Sequence, residues 1–173
     1  MRHTILAIAA IVVSATLFAA PPVRAEIAIG PVVYKAAEDG RVRPHQVRRS
    51  IGPPANLSVD LAEYLAEHIR RGLKDRDMPQ SADAALSIHS RIETLWVDEI
   101  DSSLTGLLRV RFSVMKADEE IFAETYKSDL TYPRTVLQVA EPVSRMMEGV
   151  VADFLDDRAV IVVIDGALQS KPE

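Results

Sequence analysis

The sequence of 173 residues contains no cysteine. Disulfide bonds, thiol catalysis and thiolate metal sites are therefore excluded, and so is a lipid anchor attached to a cysteine after a signal sequence. No apolar run after residue 25 is long enough to cross a bilayer, which needs about 20 apolar residues. A domain of this kind has to be held together by its apolar core.

Motifs of common catalytic and metal sites are also missing. The sequence has no H-E-x-x-H, no G-x-S-x-G and no glycine-rich phosphate loop. The histidines after residue 25, which are His45, His68 and His89, include no pair four residues apart. We expect His68 on a helix surface and His89 on the outward face of a strand. The sequence therefore predicts a protein that is not an enzyme and that holds no metal and no cofactor.

The first 25 residues have the layout of a secretory signal peptide. Arg2 and His3 give a positive start, an apolar run follows from Ile5 to Ala20, and Val23-Arg24-Ala25 resembles a cleavage site. We predict cleavage after residue 25 and a periplasmic protein. The alternative is that the segment is kept as an anchor.

The rest of the chain is predicted to form one domain, residues 26–165, followed by a polar tail at 166–173. The whole chain carries 20 lysines and arginines against 25 acidic residues. Basic residues are concentrated between residues 41 and 76, whereas acidic residues dominate from residue 77 onward. This two-signed surface argues against a protein that binds nucleic acid.

Two segments have the periodicity of amphipathic helices. The first is predicted from about Val59 to Arg76, with Ser58 as its N-cap and Asp60 in its first turn. The second begins at Pro142, a residue that fits the first helical turn, and keeps its apolar spacing from Val143 to Leu155. Each helix has one apolar stripe that it must bury.

Five segments are predicted as strands. The first, 27–34, is interrupted by Gly30-Pro31 and is expected at an edge or with a bulge. Segments 85–97, 108–114 and 121–130 follow one another across short turns, which predicts an antiparallel meander. The β-branched run Ala159–Ile164 is predicted as a last strand. We therefore predict an α+β fold, a two-layer sandwich with a mainly antiparallel sheet of four to five strands and two helices on one face. The predicted order is β-α-β-β-β-α-β.

The strongest candidate for a binding site is a basic segment within a long surface loop predicted over 35–56. The segment holds four arginines within nine residues: Arg41, Arg43, Arg48 and Arg49. Guanidinium groups suit phosphate and carboxylate groups. A second candidate is the outward face of the sheet, whose basic residues are His89, Arg91, Arg109 and Arg111. For an exported protein, the expected partners are an envelope protein or the anionic headgroup of a lipid.

Most of the predicted domain resembles two related groups of envelope proteins, the YajG-like envelope lipoproteins and the auxiliary lipoproteins of ABC-type envelope transport systems. The resemblance rests on the pattern ADAALSIHSRIETLWVDEIDSSLTGLLRVRFSVMKADEEIFAETYKSDLTY, followed by EPVSRMMEGVVADFLDD. The opening IAIGPVVY is also similar to the transport-auxiliary group. The resemblance implies no catalytic residues. This chain departs from both groups because it lacks the lipid-anchoring cysteine.

We therefore expect a non-enzymatic periplasmic envelope protein that acts as a partner-binding or accessory module, at the outer or the inner membrane. The alternative is a lipid or small-ligand carrier associated with an envelope transporter. A carrier needs an apolar cavity between sheet and helices, which Met146 and Met147 would line. Ordinary core packing of these two methionines is the competing expectation.

Overall fold

The computed structural model describes residues 26–100, 103–133 and 139–169. The predicted signal peptide and the last four residues of the predicted tail lie outside the described residues. The described part of the chain forms six strands and four helices. In chain order they are β1 (Ile27–Tyr34), α1 (Lys35–Glu38), β2 (Gln46–Val47), β3 (Ala55–Asn56), α2 (Leu61–Asp75), β4 (Leu86–Ile100), β5 (Ser103–Lys116), β6 (Glu119–Pro133), α3 (Ala140–Asp156) and α4 (Arg158–Gln169).

Four strands form one mixed sheet in the order β1-β4-β5-β6. β1 runs parallel to β4, whereas β4, β5 and β6 form the predicted antiparallel meander. Helices α2 and α3 pack against each other, α2 along β1 and α3 along β5 and β6. The predicted α+β sandwich is therefore confirmed. β2 and β3 form a separate two-stranded sheet.

The core lies between this sheet and the two long helices. Along most of β4 and β5, every second residue is buried, because side chains alternate between the two faces of a strand. Phe112 of β5 stacks on Phe154 of α3, with ring centroids 4.4 Å apart. Complete burial of a phenylalanine side chain contributes about 1.5–3 kcal/mol. Contacts of this kind fasten the helical layer to the sheet.

β1 lies at the end of the sheet and contains a bulge, as Gly30-Pro31 predicted. Its pairing with β4 shifts register between Ile29 and Val32. The ring of His89 on β4 lies directly over Gly30, where an added Cβ would be only 2.1 Å from the His89 Cδ2. Glycine is favoured at this position because any side chain would force the His89 ring to move.

Helix α2 is capped by Asp60, so the prediction of Ser58 as its N-cap is wrong. The Asp60 carboxylate accepts hydrogen bonds from the backbone N–H groups of Ala62 (2.8 Å) and Glu63 (3.2 Å). An N-cap residue directly precedes the first helical residue, which here is Leu61. Ser58 lies too far upstream to reach the free N–H groups of the first turn.

His68 is buried, and the prediction that it lies on a helix surface is wrong. It is only 5% exposed, because α3 covers the side of α2 that carries it. Its Nδ1 lies 2.8 Å from the carbonyl oxygen of Tyr64, and its Nε2 lies 3.1 Å from the Oγ of Ser144 on α3. Since a carbonyl only accepts, Nδ1 donates to Tyr64, and Nε2 shares a hydrogen bond with the Ser144 hydroxyl. The histidine thus links the two helices.

The predicted last strand, 159–164, is wrong, because these residues belong to helix α4. The Asp157 carboxylate accepts a hydrogen bond from the backbone N–H of Ala159 at 2.7 Å and caps this helix. Val160 and Ile164, which are about one turn apart, are both buried. Capping and packing therefore outweigh the β-propensity of the run. Among the described residues, no helix is both long and apolar enough to cross a membrane.

Replacing Gly30 by alanine is expected to lower the free energy of unfolding by about 1–3 kcal/mol, the usual cost of overpacking. The new methyl group would collide with the His89 ring. In a His89→Ala background the same change should cost much less, because the two residues are in contact. Urea unfolding of both single variants and of the double variant measures this coupling. Equal costs of Gly30→Ala in the two backgrounds would contradict it.

Asp60→Ala is expected to lower the free energy of unfolding by about 1 kcal/mol, because two helical N–H groups lose their acceptor. Ser58→Ala is the matched control and should change stability by less than about 0.5 kcal/mol, as exposed substitutions usually do. Urea unfolding followed by circular dichroism compares the two variants. A larger loss for Ser58→Ala than for Asp60→Ala would show that the cap is misassigned.

Candidate functional site

The basic segment is attached to the edge of the main sheet, and the stretch predicted as one long loop contains α1, β2 and β3. Directly after β2, Arg48 forms a parallel bridge with Trp96 of β4, and the Val97 N–H donates to the Arg48 carbonyl at 3.0 Å. The pairing of β1 with β4 ends at Ile92. Further along the strand, the basic segment therefore pairs with the same edge of β4 that β1 pairs with at the start.

Hydrogen bonds hold this segment on both sides of the bridge. Upstream, the Tyr34 hydroxyl donates to the carbonyl oxygen of Gln46 at 3.1 Å. Downstream, the backbone N–H and the hydroxyl of Ser50 donate to the two carboxylate oxygens of Asp98 at 2.6 and 2.5 Å. Val47 is fully buried between them. Because side chains alternate along an extended chain, Arg48, which follows Val47, points outward.

Three of the four predicted sheet residues, Arg91, Arg109 and Arg111, are exposed on the outward face. Arg91 and Arg111 stand directly opposite each other across β4 and β5, and like charges in this arrangement repel. Each has a carboxylate nearby, since Glu38 lies 3.8 Å from Arg91 and Glu120 lies 3.1 Å from Arg111. These ion pairs offset the repulsion.

Glu120 is held in its charged form. The Ser113 hydroxyl donates to the Glu120 Oε2 at 2.6 Å. This bond, and secondly the charge of Arg111, lowers the pKa of Glu120 below its usual value. Glu120 therefore stays ionised at neutral pH and remains the counter-charge of Arg111.

Arg48 and Arg109 differ from these arginines, because neither forms an ion pair within the described part of the chain. Across β4 and β5, Arg109 stands opposite Thr94, and Leu107 stands opposite Trp96. Arg48 lies on the other side of Trp96. By backbone register, Arg48 and Arg109 therefore lie on opposite sides of the strand that carries Trp96, and all three residues are on the outward face. We call Arg48, Trp96 and Arg109 the basic surface.

The other three arginines of the basic segment, Arg41, Arg43 and Arg49, are not part of the basic surface. Arg41 forms an ion pair with Asp39 at 3.4 Å. The Lys35 side chain also donates to Asp39, and this hydrogen bond is the main reason why the pKa of Asp39 is lowered. Arg43 is exposed, whereas Arg49 is half-buried and its Nε has no hydrogen-bond partner among the described residues. The four arginines therefore do not form a single patch.

His89 faces outward as predicted but is half-buried, because its ring packs on Gly30. Its Nε2 lies 3.1 Å from the Ser87 Oγ. A catalytic triad would need a third group that orients the other ring nitrogen, and no described residue hydrogen-bonds it. The described residues also contain no group of three or more histidine, aspartate and glutamate side chains placed to hold a metal ion.

The two methionines that would line a carrier cavity are fully buried in the core. Met146 packs so closely on β5 that an added Cβ at Gly106 would lie 2.9 Å from its Cε. A groove of about 460 Å³ does lie between β1 and α2, but it opens at the surface and neither methionine lines it. Met146 and Met147 therefore fill space in the core and do not line this groove.

Sequence reasoning missed Trp96 as part of the outward face. The alternation of β4 places Ile88 and Ile92 inside, which would place Trp96 inside as well. A register shift between Ile92 and Thr94 reverses the alternation, so that Leu95 is buried and Trp96 faces outward. The change of phase of the apolar residues is visible in the sequence and is the signal that could have revealed this bulge.

No family model matches the sequence, and a search of curated proteins finds no significant match. Solved structures do share the fold. A protein from Xanthomonas campestris of the family DUF330 aligns with a TM-score of 0.56 and 9% identity, over 86% of this chain and 89% of that chain. For a hypothetical protein from Chlamydia trachomatis the TM-score is 0.50 and the identity 13%, over 86% of this chain and 99% of that chain. At these identities the likeness shows the fold alone.

A minor lipoprotein from Acinetobacter baumannii also resembles part of the chain. Its TM-score is 0.39 and its identity 16%, over 60% of this chain and 85% of that chain. A likeness at this level carries no argument about function. The YajG-like resemblance is therefore not confirmed by these structures.

The Tyr34 hydroxyl, which holds the basic segment, gives stability a dependence on alkaline pH. Burial raises the pKa of Tyr34 to about 12. The unfolded chain loses this proton near the ordinary value of 10, so the free energy of unfolding should fall as the pH rises from about 10 to about 12. Tyr34→Phe should lack this part of the pH dependence. Urea unfolding at several alkaline pH values measures it, and the same slope in both proteins would contradict the assignment.

Proposed function

We propose that the protein is a non-enzymatic accessory module of the bacterial cell envelope that binds an anionic partner through the basic surface. The observation that carries this proposal is that Arg48 and Arg109 lack carboxylate partners among the described residues while they flank Trp96. The neighbouring arginines, Arg91 and Arg111, are both neutralised by glutamates. On this face, the guanidinium groups of Arg48 and Arg109 can thus bind an external carboxylate or phosphate.

The basic surface is also preorganised for binding. The backbone of Arg48 is fixed by its bridge to Trp96 and by the hydrogen bond from Val97. Arg109 stands in the middle of β5, where the backbone is paired on both sides. A partner therefore has to order only side chains, which lowers the entropic cost of binding. Tryptophan and arginine are also the residues most enriched at the energetic centres of interfaces.

The location that we propose is the periplasm. It is supported by the signal-like layout of residues 1–25, with a positive start, an apolar run and a small-residue cleavage site. The absence of cysteine excludes a lipidated cysteine as the attachment to a membrane surface. An exported protein meets two main classes of anion, which are acidic partner proteins and lipid phosphates. Both present the oxygen acceptors that a guanidinium group recognises.

The proposal is tested by replacing both arginines of the basic surface, in the variant Arg48→Ala/Arg109→Ala, in cells that carry a photo-crosslinking residue at position 94. Thr94 lies on β4, opposite Arg109 and two residues before Trp96, so a probe at this position lies beside the basic surface and leaves both arginines unchanged. The unmodified surface should give a crosslinked adduct in the envelope, and the double variant should lose most of it. Mass spectrometry of the adduct distinguishes a protein from a lipid.

The matched control is Arg71→Ala/Lys74→Ala, which removes two exposed positive charges from α2. This control lowers the overall charge by the same amount but leaves the basic surface intact, so it should keep the adduct. The variant Arg48→Lys/Arg109→Lys should retain part of it, since lysine keeps the charge but lacks the planar fork. An adduct that survives in Arg48→Ala/Arg109→Ala, or that is lost equally in the control, would contradict the proposal.

A further inference from the structure

β6 forms one end of the sheet, and in the described part of the chain no strand pairs with its outer edge. From Phe122 to Pro133 the strand pairs with β5 without any register shift. A long regular edge strand presents a row of free backbone N–H and C=O groups, and such a row is a template for another strand. Proteins usually protect such edges, so the side chains of β6 indicate whether pairing is blocked or favoured.

We propose that a second copy of this chain occupies this edge, with the two β6 strands antiparallel and a two-fold axis at Ser128. In this arrangement, residues at equal distances on either side of Ser128 stand opposite each other. Lys127 then faces Asp129 of the second copy, and Asp129 faces Lys127 of the second copy. Within one copy the two side chains form an ion pair at 3.1 Å and are well exposed, at 57% and 71%. The dimer would therefore join two such pairs into an alternating network of four charges across the axis. Opposite charges placed directly across two strands stabilise the pair.

This register is specified by the charges. If the axis is moved to Lys127 or to Asp129, two identical charges meet on the axis, which is destabilising. With the axis at Ser128, Tyr126 also faces Leu130 of the second copy, an aromatic–aliphatic pair. Charged side chains on an edge strand often prevent pairing with another strand. Here the order Lys127-Ser128-Asp129 places each charge opposite the opposite charge of the second copy.

Helix α3 fits the same two-fold axis. A Cβ added at Gly149 would lie 3.4 Å from the Ser128 Oγ, so Gly149 is the part of α3 level with the proposed axis. α3 packs on both β5 and β6, and strands are about 4.8 Å apart. The two copies of α3 would therefore run antiparallel about 10 Å apart, close to the 8–10 Å spacing of packed helices. The lack of a side chain at Gly149 permits the close packing of α3 on Ser128 of β6.

The charges on α3 are also self-complementary about this axis. Arg145 and Asp153 lie four residues before and four residues after Gly149, on one stripe of the helix. The antiparallel copies therefore bring Arg145 close to Asp153 of the second copy. Both residues are exposed. Arg145 forms an ion pair with Glu141 of its own helix at 3.7 Å, whereas Asp153 forms no ion pair with another described residue. Strand and helix thus indicate the same axis independently.

The dimer would join two four-stranded sheets into one. Because the axis is perpendicular to the sheet, the outward faces of both copies lie on the same side. The two basic surfaces would then stand on one continuous face, where a partner with repeated anionic groups could bind both at once and with higher avidity.

Charge reversal tests the register in the purified full chain by sedimentation equilibrium. Lys127→Asp and Asp129→Lys each place like charges opposite each other twice per dimer, and each should raise the dimer dissociation constant at least about tenfold. The double variant Lys127→Asp/Asp129→Lys restores opposite charges and should dimerise like the unmodified protein. Lys74→Asp, on the exposed side of α2, is the control and should not change association. An unmodified protein that stays monomeric, or a double variant as weak as the single variants, would overturn the proposal.

A second measurement does not depend on these charges. Because the chain contains no cysteine, Ser128→Cys introduces a single thiol, and the axis places it opposite the same thiol of the second copy. Facing Cβ atoms across paired strands are about 4.5–5.5 Å apart, so mild oxidation with a small backbone adjustment should yield a disulfide-linked dimer. Ser87→Cys, on β4 and far from the edge, is the control and should stay monomeric. No crosslink at position 128, or equal crosslinking at position 87, would overturn the proposal.

Discussion

The pairing of β4 with three different segments is the interaction on which the rest of the structure depends. Along one side, β4 is bonded to β5 over nearly its whole length. Along the other side it holds β1 at its beginning and the basic segment at its end, through Arg48. The bulge after Ile92 reverses the alternation between these two regions, so that Trp96 faces outward. Without this reversal, the basic segment would lie beside a buried tryptophan and the outward surface would not exist.

The arginines on the outward face fall into two groups, those paired with a carboxylate of the same chain and those without such a partner among the described residues. Arg91 and Arg111 face each other at close range and are stable together because Glu38 and Glu120 neutralise them. Arg48 and Arg109 have no such carboxylate among the described residues. The edge of β6 that no described strand pairs with shows a related division. Its charges would repel with a two-fold axis at Lys127 or Asp129 and attract with the axis at Ser128. In both places the pattern of partners, more than the number of charges, indicates what the surface can bind.

Much of the fold could be predicted from the sequence, because local periodicity determines which faces are buried. The apolar stripes of α2 and α3 and the meander of three strands follow directly from spacing. Helix α4 could not be predicted, because its β-branched residues favour a strand and its cap, Asp157, follows directly on the last residue of α3. The exposure of Arg91, Arg109 and Arg111 was predictable from alternation. The approach of Arg48 to Trp96 was not, because it joins residues far apart in sequence through backbone bonds that leave no local pattern.

The central claim is that the basic segment is bonded to β4 and is not a free loop. Hydrogen exchange of the Val97 amide, followed by NMR, tests it most directly, because this N–H donates to the Arg48 carbonyl. We predict protection of Val97 comparable to that of Ile92, which lies in the fully paired part of β4. Exchange of Val97 at the rate of an unprotected amide, while Ile92 remains protected, would show that the segment is detached and would contradict the account.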